Sequence, residues 1–213
     1  MQIECLTVGA FQSNCYLLIE ERDRSAYIID PGDEPDRLLD WVGHMGVSID
    51  GIILTHAHLD HIMAVRRIKE AFKVDIFLHQ EDLFIYDQMV ERAAEFGWSV
   101  EPTLPVDRYI AENDIFNLDG IQVSVLHTPG HSPGGLSLFI DGTPGVVFSG
   151  DALFAGSVGR TDLSGGDYQT LIDSISKKLL TLAPDTVVYP GHGPSTTIER
   201  ERLTNPFLKG IIS

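Results

Sequence analysis

The chain has 213 residues, with 15 Lys+Arg against 31 Asp+Glu and a formal net charge of −16. At 43% hydrophobic and 22% charged it is too apolar for disorder. Its acidity argues against nucleic acid as a partner, because a phosphate backbone would meet a repulsive field.

The N-terminal Met1-Gln2-Ile3-Glu4-Cys5 has neither a basic n-region nor an apolar h-region. Apolar runs are strand-sized, short of the roughly 20 residues of a membrane span. A cytoplasmic location and no membrane partner are expected. The length predicts a single domain over residues 1–213 that needs no disulfide to fold. Cys5 and Cys15 form no CxxC pair and read as two buried thiols rather than a disulfide.

In chain order, Ile3–Val8, Cys15–Glu20 and Ala26–Asp30 read as strands, divided by Gly9, a charged cluster and Pro31-Gly32. Glu34–Met45 carries Leu38, Leu39, Trp41, Val42 and Met45 at helical spacing, with Gly46 placed to stop it. Ile49–Leu54 predicts a strand, Leu59–Phe72 a helix, Asp75–His79 a strand and Glu81–Phe96 a helix. The last of these, with Leu83, Tyr86 and Met89, either roofs a cleft or packs on the core. Trp98–Arg108 reads as a loop. Ile115–Leu118, Ile121–Leu126, Leu136–Ile140 and Val146–Phe148 return to strand, with hairpin turns at Asp119-Gly120 and Asp141-Gly142. Tyr168–Leu182 is a helix, Thr186–Tyr189 a strand and Ile198–Leu203 a short helix. The rhythm of strands then helix, twice over, predicts an α+β fold with two sheets and helices outside.

The chemistry sits in the loops after these strands. Thr55-His56-Ala57-His58-Leu59-Asp60-His61 follows the strand Ile49–Leu54. In extended chain His56 and His58 point the same way, and the turn into the helix brings Asp60 and His61 round. His131 stands at the tip of His127-Thr128-Pro129-Gly130-His131-Ser132-Pro133-Gly134-Gly135, with His127 read as a packed strand-end residue. His192 is presented by Tyr189-Pro190-Gly191-His192-Gly193-Pro194, and Asp151 follows Ser149-Gly150. Metal-type side chains at four strand ends imply one shared edge.

His56, His58, Asp60, His61, His131, Asp151 and His192 are seven donors, too many for one tetrahedral ion. Three histidines on one ion, two histidines and Asp60 on a second, and Asp151 as bridge use all seven. Each ion then keeps an open position, as catalytic sites do. An N/O donor set without thiolate suits two divalent ions, Zn²⁺ first, with Fe or Mn²⁺ as alternatives.

His56-x-His58-x-Asp60-His61, followed by His131, Asp151 and His192 in that order, resembles the metallo-β-lactamase superfamily. The resemblance covers nearly the whole chain and implies a four-layer αβ/βα sandwich of two mixed sheets with helices outside. Within the superfamily the sequence is most similar to glyoxalase II-like hydrolases, through Phe11–Tyr16, Ile29–Gly32, His127–Gly134, Gly150–Asp162 and Tyr189–Gly193. It departs from the lactamases proper, which lack a counterpart of His61 and often carry Cys where Asp151 stands.

The implied activity is hydrolysis of a small thiolester, an S-2-hydroxyacylglutathione giving a 2-hydroxy acid and glutathione, by a metal-bridging hydroxide. A thiolate of pKa about 8.5 leaves without a dedicated general acid. Asp60 is the candidate catalytic carboxylate as well as a ligand. Asp30, by family position, would steady the His56–His61 loop, or simply end a strand before Pro31-Gly32. Arg160 stands where glyoxalase II enzymes carry a Lys that holds glutathione, so it would bind substrate or brace its loop against Asp162.

About twenty residues follow His192, so no separate C-terminal helical glutathione-binding domain is expected. The rival readings are a mononuclear iron persulfide dioxygenase and a lactonase-type hydrolase of the same fold.

Overall fold

The computed structural model describes residues 1–118 and 120–209. The chain divides into two compact units, residues 1–110 with 118–121 and residues 111–117 with 122–213.

The first unit holds strands β1 (Gln2–Val8), β2 (Ser13–Ile19), β3 (Ser25–Ile29), β4 (Ser48–Ile53), β5 (Asp75–Leu78) and β6 (Arg108–Tyr109) in one sheet, paired in chain order. The first two pairings are antiparallel and the last three parallel. Parallel neighbours need crossovers, and the helices supply them: α1 (Pro35–Met45) between β3 and β4, then α2 (Leu59–Ile62) and α3 (Val65–Phe72) between β4 and β5. Helices α4 (Leu83–Asp87) and α5 (Met89–Glu95) follow β5. Leu38 and Val42, one turn apart on α1, are buried, and Gly46 ends the helix in the left-handed region at φ 62°, donating back to the Val42 carbonyl. Leu17, Ile19, Ile28, Ile52, Leu54, Ile68 and Ile76 form the centre of the core.

The second unit carries β7 (Ile115–Leu118), β8 (Ile121–His127), β9 (Leu136–Ile140), β10 (Val146–Gly150), β11 (Leu153–Phe154), β12 (Ser157–Val158), β13 (Val187–Pro190) and β14 (Thr196–Thr197). Its sheet runs β14-β13-β10-β9-β8-β7, and β11 and β12 form a separate small hairpin. β10 and β13 pair in parallel, joined through α6 (Tyr168–Ser174) and the π-helical turn Ile175–Leu179. α7 (Ile198–Thr204) follows β14. Val147, Leu153, Leu171, Ile175, Leu179, Val188 and Ile198 centre this core.

The structure corrects several expectations. The helix expected over Leu59–Phe72 is two helices. The amides of Met63 and Ala64 donate to the carbonyls of Gly32 (3.0 Å) and Pro31 (3.1 Å), so a loop captures donors that would have continued the helix. The helix expected over Glu81–Phe96 is a 3₁₀ turn at Gln80–Asp82 followed by α4 and α5, because Gln88 donates to the carbonyl of Ile85. Its apolar face, with Ile85, Tyr86, Met89 and Ala93, packs into the core of the first unit. The helix expected over Tyr168–Leu182 changes to π geometry at Ile175. β9 and β10 are joined over residues 141–145 rather than by the two-residue turn Asp141-Gly142. The hairpin β11–β12 and the edge strand β14, too short to show periodicity, were not expected. Asp119 of the Asp119-Gly120 turn lies outside the described residues. Both cysteines are free, but only Cys15 is buried; Cys5 is exposed on the edge strand β1.

Each sheet places its functional loops by one rule: they leave the C-terminal ends of strands that run the same way. In the first unit these are the loops after β3 and β4, and in the second those after β10 and β13. β8, antiparallel to β9, which is antiparallel to β10, delivers a third loop to the same edge of the second sheet.

Candidate metal centre

In the first unit the loop after β4 runs from Leu54 into α2. His56 and His61 are buried at 1% and 0% exposure, and their rings lie 4.2 Å apart between centroids; the rings of His56 and His58 are 5.0 Å apart. Asp30, Asp60 and Thr55 surround them. Asp30 is 2% exposed and takes a left-handed φ of 51°, tolerable for Asp, which turns its carboxylate toward the loop after β4. Its Oδ1 accepts from the Thr55 amide (2.7 Å), and its Oδ2 accepts from the Thr55 hydroxyl (2.6 Å) and from His61 Nδ1 (3.2 Å).

This pattern sets two tautomers. The Thr55 hydroxyl proton is given to Asp30, so its oxygen accepts from His56 Nδ1 at 3.0 Å. His56 and His61 thus both carry the proton on Nδ1 and turn Nε2 outward as a lone-pair donor. One buried carboxylate orients both imidazoles, one directly and one through Thr55.

Two further contacts fix the backbone here. The Ala57 amide, between His56 and His58, donates to Asp82 Oδ2 (2.9 Å), and Asp82 is fully buried in the 3₁₀ turn after β5. The Ser13 hydroxyl donates to the Asp60 carbonyl (2.6 Å). Gly32 lies against the same carbonyl so closely that a Cβ there would sit 1.9 Å from it.

In the second unit the candidate ligands come from three loops. Asp151 follows β10, His192 follows β13 and His131 lies in the loop after β8. His131 Nδ1 donates to the Arg160 carbonyl (2.7 Å), which again turns Nε2 outward. The loop of His131 is pinned to α6: Gly130 packs where a Cβ would meet the Leu171 amide nitrogen at 2.2 Å, and Ser174 Oγ donates to the Pro129 carbonyl. A Cβ on Gly159 would sit 1.9 Å from the Asp151 carbonyl. The two units use the same device, a glycine beneath the carbonyl of a candidate ligand aspartate.

Distances test whether these groups suit a cation. Asp151 Oδ2 stands 3.5 Å from His131 Nε2 and 3.5 Å from His192 Nε2, and His61 Nε2 stands 3.4 Å from Asp60 Oδ2. These separations exceed ordinary hydrogen bonds. Two donors about 2.1 Å from a shared tetrahedral ion lie about 3.4 Å apart. The residues fit a divalent ion.

Of the other residues singled out in the sequence, Arg160 makes a bidentate pair with Asp162 (2.6 and 2.7 Å) at the surface. That pairing, by its hydrogen bonds first, holds the Asp162 carboxyl down to about 2. His127 closes β8, its Nε2 on the Pro133 carbonyl at 2.9 Å. Thr55, Asp82, Ser13 and Gly159 were not singled out in the sequence. For Thr55, Asp82 and Ser13 a decisive partner is distant along the chain (Asp30, Ala57 and Asp60, at 25, 25 and 47 positions), and for Gly159 no local pattern marks the close approach to Asp151.

Comparison with known proteins agrees with this chemistry. The sequence profile described as "Metallo-beta-lactamase superfamily" matches residues 8–192. The hydroxyacylglutathione hydrolase GloC of Haemophilus influenzae is 42% identical over 210 residues, covering 98% of each chain. Among solved structures, BLEG-1, a B3 metallo-β-lactamase, matches with TM-score 0.90 and 38% identity over 98% of this chain and 100% of its own. TTHA1623, solved in a di-iron-bound form, matches with TM-score 0.87 and 44% identity over 96% of this chain and 100% of its own. Two mixed sheets with helices, strand-end His/Asp clusters and likeness along nearly the whole length lead to one conclusion: the chain belongs to the metallo-β-lactamase superfamily, as a glyoxalase II-like member with that α+β fold.

Proposed function

We propose that this metal-dependent hydrolase cleaves a small thiolester, with S-2-hydroxyacylglutathiones as the leading substrate class. The observation that carries the reading is Asp151 Oδ2, set 3.5 Å from the Nε2 atoms of both His131 and His192, as a carboxylate shared between ions would be. The 42% identity to a hydroxyacylglutathione hydrolase supports the substrate class. The likeness to a protein solved with two irons supports two ions, with iron beside zinc and manganese as candidates.

In this reading His56, His58 and His131 would hold one ion, Asp60, His61 and His192 would hold the second, and Asp151 would be shared by both. Two such ions, when bound, lower the pKa of a water toward neutrality and polarise a carbonyl. The chain's own groups do the rest. Asp30 and the Arg160 carbonyl keep His56, His61 and His131 protonated on Nδ1, so that each offers Nε2. The Asp60 carboxylate would orient the proton of the attacking water as well as hold its ion. The thiolate leaves unassisted, since a thiol of pKa about 8.5 is a competent leaving group. Arg160, paired with Asp162, lies nine positions after Asp151 and is the candidate contact for the anionic thiol part.

The test is thiol release from S-D-lactoylglutathione by protein reconstituted separately with Zn²⁺, Mn²⁺ and Fe²⁺. Metal-dependent turnover that falls at least a thousandfold in Asp60→Ala is expected. Oxygen uptake with a persulfide substrate and a single bound iron would replace this reading with the dioxygenase one. A lactone and a β-lactam belong in the same panel, the latter because of the 38% identity to a B3 lactamase.

A further inference from the structure

The second unit holds a buried carboxylate that no ligand assignment uses. Glu201, on α7, is 0% exposed. Its Oε1 accepts from the Thr196 hydroxyl (2.6 Å), and its Oε2 accepts from the Gly156 amide and from Asn205 Nδ2 (2.8 Å each). Asn205 Nδ2 also reaches the Ser157 carbonyl (3.0 Å). All these partners are neutral. A buried carboxylate is expensive to desolvate, and an apolar side chain of similar volume would anchor a helix as well.

The position of its partners suggests why it is there. Gly156, in the turn of the β11–β12 hairpin with a left-handed φ of 76°, and Ser157, the first residue of β12, lie at the hairpin's tip. The base of that hairpin is closed by the Gly159 amide on the Ala152 carbonyl (3.2 Å). Asp151 precedes the base on one side. On the other, Gly159 lies beneath the Asp151 carbonyl, and Arg160 offers its carbonyl to His131 Nδ1. The segment 151–160 is therefore a closed loop whose base carries Asp151 and orients His131, and whose tip is tied to Glu201 and Asn205.

We propose that Glu201, with Asn205, is a positioning residue of the metal centre: it holds the 151–160 loop so that Asp151 and His131 present their ligand atoms. This rests on the ligand set proposed above. The hydrogen bonds, not the charge, carry the role. A glutamine can accept from Gly156 and Asn205 through its oxygen and donate to the Thr196 hydroxyl, which can turn to accept.

The experiment loads the full-length, metal-stripped protein with Zn²⁺ under chelator competition and with Co²⁺ for its visible absorption spectrum, at a temperature where circular dichroism shows each variant folded. Glu201→Ala is expected to bind Zn²⁺ about 10–100-fold more weakly, with an altered Co²⁺ band, and Glu201→Gln to restore both. Tyr86→Phe, which removes an unrelated bond to the Leu104 carbonyl, is expected to lower the melting temperature and leave both readouts at wild type. A Glu201→Ala protein that melts earlier yet binds Zn²⁺ with wild-type affinity and spectrum would overturn the proposal. If Glu201→Ala does not fold, Asn205→Ala decides by the same two readouts. Asp151→Ala runs alongside: unchanged binding there would sink the ligand set itself, whereas weakened binding there with normal Glu201→Ala sinks only the positioning role.

Discussion

In the first unit four candidate ligands lie within His56–His61, after one strand, and side chains orient them: Asp30 and Thr55 set the imidazoles, Asp82 holds the Ala57 amide and Ser13 the Asp60 carbonyl. In the second unit three candidate ligands come from three loops, and backbone groups and close packing orient them: the Arg160 carbonyl, Gly159 under Asp151 and Gly130 against α6. A local cluster has its ligands already adjacent and needs only their rings turned. A dispersed set must first have its loops brought to fixed heights, which close backbone contact does with less freedom than side chains. The two units share the glycine beneath an aspartate carbonyl, Gly32 under Asp60 and Gly159 under Asp151, and should differ in how their side-chain braces respond to substitution.

Added bulk at the glycines should do most harm. Gly159→Ala forces a Cβ to 1.9 Å from the Asp151 carbonyl and 3.2 Å from the His131 Cβ, so it disturbs two candidate ligands at once. A loss of about 1–3 kcal/mol is expected, read as a melting temperature several degrees lower together with lost metal content. Gly32→Ala, with the same 1.9 Å encounter at Asp60, should match it in stability. A Gly159→Ala protein with full metal content would show that the close contact beneath Asp151 is not what places it.

Next come the side-chain braces. Asp30→Ala should weaken metal binding by about 10–100-fold. Asp30→Asn should not rescue it, since both carboxylate oxygens accept: Oδ1 from the Thr55 amide, whose hydrogen cannot turn away, and Oδ2 from the Thr55 hydroxyl and His61 Nδ1, so an amide nitrogen at either place would face a donor. That sets it against the rescue expected for Glu201→Gln. Chelator titration of the Asp30 pair and the Glu201 pair would sharpen or erase the difference.

The smallest effect belongs to Arg160→Ala. Its carbonyl, the group that orients His131, survives the substitution, and the exposed pair with Asp162 is a solvent-screened one. Steady-state kinetics should show kcat unchanged and KM for a glutathione thiolester raised a few-fold. The pair is intact at assay pH. The Asp162 carboxyl is held down to about 2, so its contribution is full above the ordinary carboxylate range and is lost only as pH falls through about 2. A drop in kcat would mean that the side chain does more than contact substrate.

No helix among the described residues is long and apolar enough to cross a membrane, in line with the strand-sized apolar runs. Most strands and the first helix were legible because their signals are local: alternation or apolar runs for β1 to β5, and Leu38 and Val42 one turn apart with Gly46 behind them for α1. The broken helices were not legible, because what ended α2 was a pair of carbonyls from Pro31 and Gly32, some thirty positions away. Likewise, burial of Cys5 was expected from residue type, whereas the edge position of β1 leaves it exposed.

The sequence by itself determined the donor inventory and its chemistry. His56-x-His58-x-Asp60-His61 is dense enough to be read without a fold, and His131, Asp151 and His192 each follow a strand and stand among the glycines and prolines that make loops. Tertiary structure alone decided which nitrogen His56, His61 and His131 offer, because that depends on Asp30, Thr55 and the Arg160 carbonyl being brought to the rings. It alone made Gly159, Asp82 and Glu201 matter. The physical reason is the same in each case: composition and spacing set what a residue can donate or accept, but a hydrogen bond's direction exists only once both partners have been placed.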